Sequence, residues 1–370
     1  MKGYIEKLAK PHAANRPYHN WQHELNVVDR ALSLADRCRK YGFVAKEEVI
    51  VWVGCFHDCH YGEDPRKFGF STPEQLSDFV LRKVMRENGC SEELISECSQ
   101  ALLPTDAKVM PHTLEAKIIR AADLAGLAAP YNKYRDDFER LMTEFNFTSE
   151  WDFFWPNLRA LAEYLWPEIR LTQLYWNGSG SSWWHEKAVS NIVHNYHEIC
   201  AVRGEEPLTI VEIGPGCLPV SLTRHNPKEL IIGIEPDERS RRHGVRLSLH
   251  VSKLTSGPIE LVIPGQAMAI PVPDHVVSEI MLVNVALRHP EAINQREFER
   301  ILKPGGSLDV YENYSPEPWM NGGTSIQSIE GLLSSFDRFS LRRVSRVSEE
   351  NINPDGVDDE SFCLTLEPKE

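Results

Sequence analysis

Leu208-Thr209-Ile210-Val211-Glu212-Ile213-Gly214-Pro215-Gly216 decides how the second half of the chain folds. Five of its first six residues are apolar or β-branched, and only Glu212 is charged. A short apolar run that ends in a glycine turn reads as a buried parallel strand. Gly214 and Gly216 let the backbone turn tightly and approach a ligand closely. The residues from Val220 to Arg224 then open a helix whose first amides face that ligand. The next apolar run, Glu229-Leu230-Ile231-Ile232-Gly233-Ile234-Glu235-Pro236-Asp237, carries an acid, Glu235, 19 residues beyond Gly216. Strand, glycine turn, helix and a second strand ending in a carboxylate make a nucleoside-binding half-fold, with the carboxylate accepting both ribose hydroxyls.

Toward the C-terminus the alternation continues. Ile263–Pro271 follows a third apolar run, and Glu279–Leu287 is a fourth. Arg296–Val310 gives a helix, a turn and a fifth strand. The stretch 347–359 reads as an acidic loop, and Ser361–Leu366 alternates and ends the sheet. Strands alternating with helical stretches predict a parallel α/β sheet. Over residues 206–345 this order, with the Leu302-Lys303-Pro304-Gly305-Gly306 turn, resembles the class I S-adenosylmethionine-dependent methyltransferases, a Rossmann-like fold. A dinucleotide-binding domain would carry a third glycine, where Pro219 stands here.

The resemblance implies S-adenosylmethionine as cofactor. It places Gly214 and Gly216 under the methionine part, Glu212 near its amino group and Glu235 on the ribose. Gln266 and Ala267 would meet the adenine edge, and Asn284 would floor the methyl-transfer pocket. Two positions depart from the family pattern: the turn lacks a further glycine where Leu218 or Pro219 stands, and the adenine position, often acidic, is Gln266. Methyl transfer is mostly positioning. Where a general base is used, His289 is the candidate, with His275 behind it. No Asn-Pro-Pro-Tyr or Asp-Pro-Pro-Tyr tetrad occurs, so methylation of DNA-base amines is not favoured.

Upstream of a polar linker, Arg203–Pro207, the pattern is helical. Asn26–Lys40 has a 3.6-period apolar stripe. Val49–Cys59 is strongly apolar, as in a central buried helix. Thr72-Pro73-Glu74 pairs a capping threonine with proline at the first helical position, and Ser91 starts a fourth helix. Leu114–Leu127, 153–176 and 183–199 are three more, the last two rich in aromatics. Residues 1–200 therefore form an all-α domain and 201–370 an α/β domain. The tryptophans at 151–184 read as packing, and the basic stretch 238–253 as a solvated helix face.

In the helical half, His23, the adjacent pair His57-Asp58, and Asp123 stand out. Imidazole and carboxylate suit a borderline or hard divalent cation. A charged pair in an apolar segment is costly unless something neutralises it, and a metal does so. From spacing alone, a satisfied core histidine beside a helix-end acid reads equally well.

The motifs extend further. Tyr18-His19-Asn20-Trp21-Gln22-His23, Phe56-His57-Asp58 with Tyr61, Pro73-Glu74-Gln75-Leu76-Ser77, Ala122-Asp123-Leu124-Ala125-Gly126 and Glu186–Asn191 resemble one subgroup of the HD-domain superfamily of metal-dependent phosphohydrolases, over residues 15–195. The resemblance implies a cation held by His23, His57, Asp58 and Asp123, with Asp58 also orienting the nucleophilic water. Many members carry further histidines for a second metal. Here only His112 stands in the comparable stretch, so a one-metal site is expected; His19 and His60 read as surface or capping histidines, with a place behind the ligands as the alternative.

Composition bounds the rest. At 370 residues, with 42% hydrophobic and 25% charged content, the chain has material for two globular domains. A net charge of -14 argues against loose binding to nucleic acid or anionic membrane. The eight cysteines form no C-x-x-C pair. Without a signal core or membrane span, a cytoplasmic protein with reduced thiols is expected. The expectation is a bifunctional enzyme, a phosphohydrolase fused to a methyltransferase, acting on a small molecule that is phosphorylated or a nucleotide. The alternatives are a di-iron oxygenase in the first half, or one inactive domain serving as a sensor.

Overall fold

The computed structural model describes residues 1–106, 108–168, 174–175, 182–216, 224–237, 239–241, 244, 257–283, 285–286, 293–314, 329–346 and 360–369. The chain divides into two compact units. One comprises Met1–Trp155 and Arg170–Tyr175, the other Pro156–Ile169 and Trp176–Glu370.

The first unit is helical: α1 (Lys2–Ala9), α2 (Trp21–Lys40), α3 (Glu47–Phe56), α4 (Pro73–Glu87), α5 (Glu92–Leu102), α6 (Leu114–Asp123), α7 (Tyr131–Glu144) and the start of α8 (Glu150–Glu168). α2 begins earlier than its apolar stripe, because the Asn20 side chain caps it, accepting from the Gln22 and His23 amides. Thr72, Ser91 and Thr113 cap α4, α5 and α6 in the same way. After its exposed first residues Glu47 and Glu48, α3 is buried from Val49 to Phe56. It packs on α2, and α2 also packs on α6. Gly54 makes the α2–α3 crossing close: a Cβ there would lie 2.7 Å from Val28 Cγ2. α1 and α7 carried too few periodic apolar residues to be read from sequence. α7 buries only Tyr134, Phe138 and Glu144.

The second unit carries α9 (Trp183–Arg203), then β1 (Leu208–Ile213), β2 (Glu229–Ile234), β3 (Ile259–Ile263), β4 (Val277–Val283), α10 (Gln295–Ile301), β5 (Leu302–Tyr314), α11 (Ile329–Ser334), β6 (Phe339–Arg346) and β7 (Glu360–Pro368). The strands form one sheet in the order β3-β2-β1-β4-β5-β7-β6. The first five run parallel, and β7 runs antiparallel to both β5 and β6. β1 to β3 are buried almost end to end, as a doubly covered sheet requires.

Two details differ from the sequence reading. β7 closes the chain but lies inside the sheet, and the edge is β6, whose Arg342 and Arg343 suit an exposed edge. The Lys303–Gly306 turn is an irregularity within β5: the ladder steps from Val277↔Leu302 to Glu279↔Ser307. Among the described residues, no helix is long and apolar enough to cross a membrane.

Candidate functional site

In the helical unit, α2 supplies His23 from its first turn, α3 ends at His57 with Asp58 following, and α6 ends at Asp123. The four side chains offer one ligand atom each, and these atoms all lie within 4.8 Å of one another. His23 Nε2 is 3.2 Å from Asp58 Oδ2 and 3.1 Å from Asp123 Oδ1. His57 Nε2 is 3.1 Å from Asp58 Oδ2 and 3.4 Å from His23 Nε2. His57 Nδ1 lies 2.9 Å from the Gly54 carbonyl. A proton on Nδ1 donated to that carbonyl leaves Nε2 as the ligand atom.

The electrostatics are those of a site built for positive charge. Burial alone would lower His23; hydrogen bonds to Asp123 and Asp58 override it and lift the imidazole to about 9. Burial is likewise overridden at His57, which the Asp58 charge raises well above its ordinary value. Asp58 and Asp123 move the opposite way, held down by the two imidazoles against the effect of burial. Protons on the histidines thus stand where a divalent cation would stand. Two imidazole nitrogens and two carboxylate oxygens fit such an ion.

Neighbouring groups frame the quartet. His19 stacks on Tyr61 with ring centroids 3.7 Å apart, and its Nε2 is 4.0 Å from Asp58 Oδ2. Its Nδ1 is 2.6 Å from the buried Glu144 carboxylate, which also accepts from the Tyr18 and His19 amides. Tyr18 packs its ring 4.8 Å from that of His23. Glu24 is fully buried beside the site, and burial lifts its carboxyl to about 8. Ser77 Oγ donates to the Cys59 carbonyl at 3.0 Å and so braces the turn after Asp58. Glu74 lies close enough for the Asp58 charge to reach it. His112 is exposed beside the α6 cap and His60 pairs with Glu63, both outside the quartet. Sequence reasoning missed Glu144 and Glu24, since neither lies in a motif.

In the sheet unit, parallel register sets the second site. Ile213 pairs with Ile234 and Leu282, and Ile234 pairs with Ile263. The residues that follow, Gly214, Glu235 and Pro264–Gln266, therefore emerge side by side at the carboxyl edge. The chain leaves β1 toward β2 on one side and returns to β4 on the other, and in sheets of this topology the ligand side is the carboxyl edge beside β1. Gly214 and Gly216 have φ of +69° and +57°. A Cβ on Gly214 would also stand 2.7 Å from Val285 Cγ2. The Gly216 amide donates to Glu235 Oε2 at 2.9 Å, and the Asp237 amide to Glu235 Oε1 at 2.8 Å. The carboxylate is held in place, and among the described residues one amide donates to each oxygen, which can accept a second hydrogen bond. Arg241 Nη1 donates to the carbonyls of Glu235 and Pro236. Glu212 is fully buried, Gln266 is exposed at the end of β3, and Ala267 is buried.

Asn284 and His289 lie outside the described residues, as do the turn positions Leu218 and Pro219, most of the basic stretch 238–253, and 347–359. His275 sits before the first residue of β4, at the opposite edge from Gly214. Its ring faces the Leu302 carbonyl at 3.1 Å, which gives it a turn-forming role.

No protein-family model and no curated protein matches the chain. Solved structures do. A S-adenosylmethionine-dependent methyltransferase from Aquifex aeolicus aligns at 18% identity, over 46% of this chain and 88% of that chain, with a TM-score of 0.33. The 16S rRNA methyltransferase KamB aligns at 17% identity, over 46% and 93%, with a TM-score of 0.36. The PH0226 protein of Pyrococcus horikoshii OT3 aligns at 14% identity, over 47% and 88%, with a TM-score of 0.34.

Proposed function

We propose that the chain is a bifunctional enzyme, a metal-dependent phosphohydrolase followed by an S-adenosylmethionine-dependent methyltransferase. Both act on a small phosphorylated metabolite or nucleotide. The observation that carries the first activity is the convergence of His23, His57, Asp58 and Asp123 within 4.8 Å. A divalent ion held by these four supplies an activated water and polarises a phosphoryl oxygen. The chain's own part is orientation. Asp58 Oδ2 faces both imidazoles, so it is placed to hold an ion and to accept a hydrogen bond from the attacking water. The Gly54 carbonyl fixes the His57 tautomer. Glu144 fixes the His19 ring, which borders the site on the Asp58 side.

The second activity is supported by the topological switch point beside β1, where two backbone amides hold Glu235 in place. S-adenosylmethionine bound there supplies an electrophilic methyl group. Glu235 would take the two ribose hydroxyls on its remaining lone pairs. Gly214 and Gly216 leave room for the methionine part, with Glu212 near its amino group. Gln266 and Ala267, just beyond β3, are the residues that would meet the adenine edge. No base is needed when the acceptor is held in line.

The test is to measure S-adenosylmethionine affinity and phosphatase turnover separately on the full chain. Turnover on phosphomonoesters together with cofactor binding supports both halves. Tight cofactor binding with no turnover on any substrate would make the protein a sensor. About two irons per chain would move the first half to an oxygenase.

A further inference from the structure

Arg30 lies seven residues after His23 on α2, two turns along the same face, about 10 Å away at 1.5 Å per residue. Long helical side chains lean toward the helix N-terminus, so Arg30 reaches back toward the turn of His23. Its Nη1 lies 3.8 Å from where a Cβ on Gly126 would stand; Tyr18 Oη is 3.7 Å and Asp137 Oδ2 3.6 Å from that point. Gly126 follows Asp123 by three residues, and the Tyr18 ring packs on His23. The three polar groups therefore gather beside the metal-ligand quartet around the glycine's empty side-chain position.

Charge decides what this space would accept. Asp137 pairs with Lys133. A divalent ion would balance Asp58 and Asp123. Among the described residues, Arg30 has no ion pair within 4.0 Å, although it is half-buried. The Arg30 guanidinium is then a positive charge beside Gly126, close enough for its charge to reach Tyr18. Its planar fork matches two oxygens of one oxyanion.

We propose that Arg30, with the Tyr18 hydroxyl as a second donor, is the anion-recognition residue of this centre and binds a phosphate group of the substrate. The inference rests on the metal-dependent reading of the quartet and names the group that the site selects.

Inorganic phosphate is titrated calorimetrically into full-length wild type, Arg30→Gln and Arg30→Lys, with metal content measured on each sample and acetate run in parallel. The expected result is unchanged metal content, phosphate affinity at least tenfold weaker in Arg30→Gln, partial recovery in Arg30→Lys, and weaker binding of acetate than of phosphate. Should Arg30→Gln fail to fold, Gly126→Val fills the same space from the other side and must weaken phosphate as well. Equal phosphate affinity in Arg30→Gln and wild type, or no phosphate binding by metal-loaded wild type, overturns the inference. Tighter binding of acetate than of phosphate overturns the phosphate assignment. A wild type without metal sinks the hydrolase reading; Arg30-dependent phosphate binding in that same protein would leave the anion site standing.

Discussion

His19 Nδ1 meets Glu144 Oε1 at 2.6 Å across 125 residues of sequence. The contact ties the last turn of α7 to the segment that leads into α2, and so to the first candidate ligand, His23. Glu144 is almost fully buried, and its carboxylate also accepts from the Tyr18 and His19 amides.

Glu144→Ala leaves those donors without their acceptor. A loss of about 2–4 kcal/mol in stability is expected, since each buried unsatisfied group costs about 1–3 kcal/mol. Glu144→Gln keeps one acceptor oxygen and loses less. Urea unfolding of both variants checks the order; a change under about 0.5 kcal/mol for the alanine variant would contradict it.

Gly214 and Gly216 separate by the same kind of test. Both have positive φ, which costs a side chain about 1–3 kcal/mol. Among the described residues, only Gly214 faces a clash: a Cβ there lands 2.7 Å from Val285, whereas at Gly216 the nearest described atom is the Gly214 carbonyl oxygen at 3.9 Å. Gly214→Ala should therefore destabilise the protein and weaken S-adenosylmethionine more than Gly216→Ala does. Thermal unfolding and calorimetric titration would show the reverse order if the turn is placed differently.

Metal uptake should expel protons. In the metal-free protein His23 stays protonated up to about pH 9. Affinity should rise about tenfold per pH unit per proton released, between neutral pH and about 9, and level off above. A competition titration with a coloured chelator at several pH values measures this. Affinity flat between pH 6.5 and 9 would mean that His23 is not displaced from its proton.

Stability of the full chain should fall in mild acid. His185 is buried in the sheet unit, neither ring nitrogen is hydrogen-bonded among the described residues, and burial, with Arg241 adding, lowers it to about 3. His197, bonded to Thr209 Oγ1, is lowered to about 4 by burial, with Lys303 adding. Both values lie below the unfolded 6.5, so their contribution is present above pH 6.5 and is lost as pH falls toward 3 to 4. One such group costs about 1.4 kcal/mol per pH unit, so His185 alone accounts for about 2 kcal/mol between pH 6.5 and 5. His185→Phe should flatten the acid limb of urea midpoint against pH. An unchanged slope would place the acid sensitivity elsewhere.

The legible parts of the sequence were those with local signals. The glycine turn, the carboxylate that ends β2 and the His-Asp pair sit next to strong apolar runs, which fixed their position in the fold. The quartet came from motif resemblance, because His23 and Asp123 are 100 residues apart and no period links them. Glu144 and Arg30 were missed for the opposite reason. Each lies on an ordinary polar helix face, and only the packing of α7 and α2 reveals what it meets. β6 went unread because an edge strand can be polar on both faces.

The central claim is that the four-residue group holds a metal. Elemental analysis of full-length protein purified without chelator, with Asp58→Ala alongside, tests it most directly. About one divalent ion per chain, lost in the variant, is the predicted result. No metal in wild type, or metal retained in full by Asp58→Ala, would contradict it.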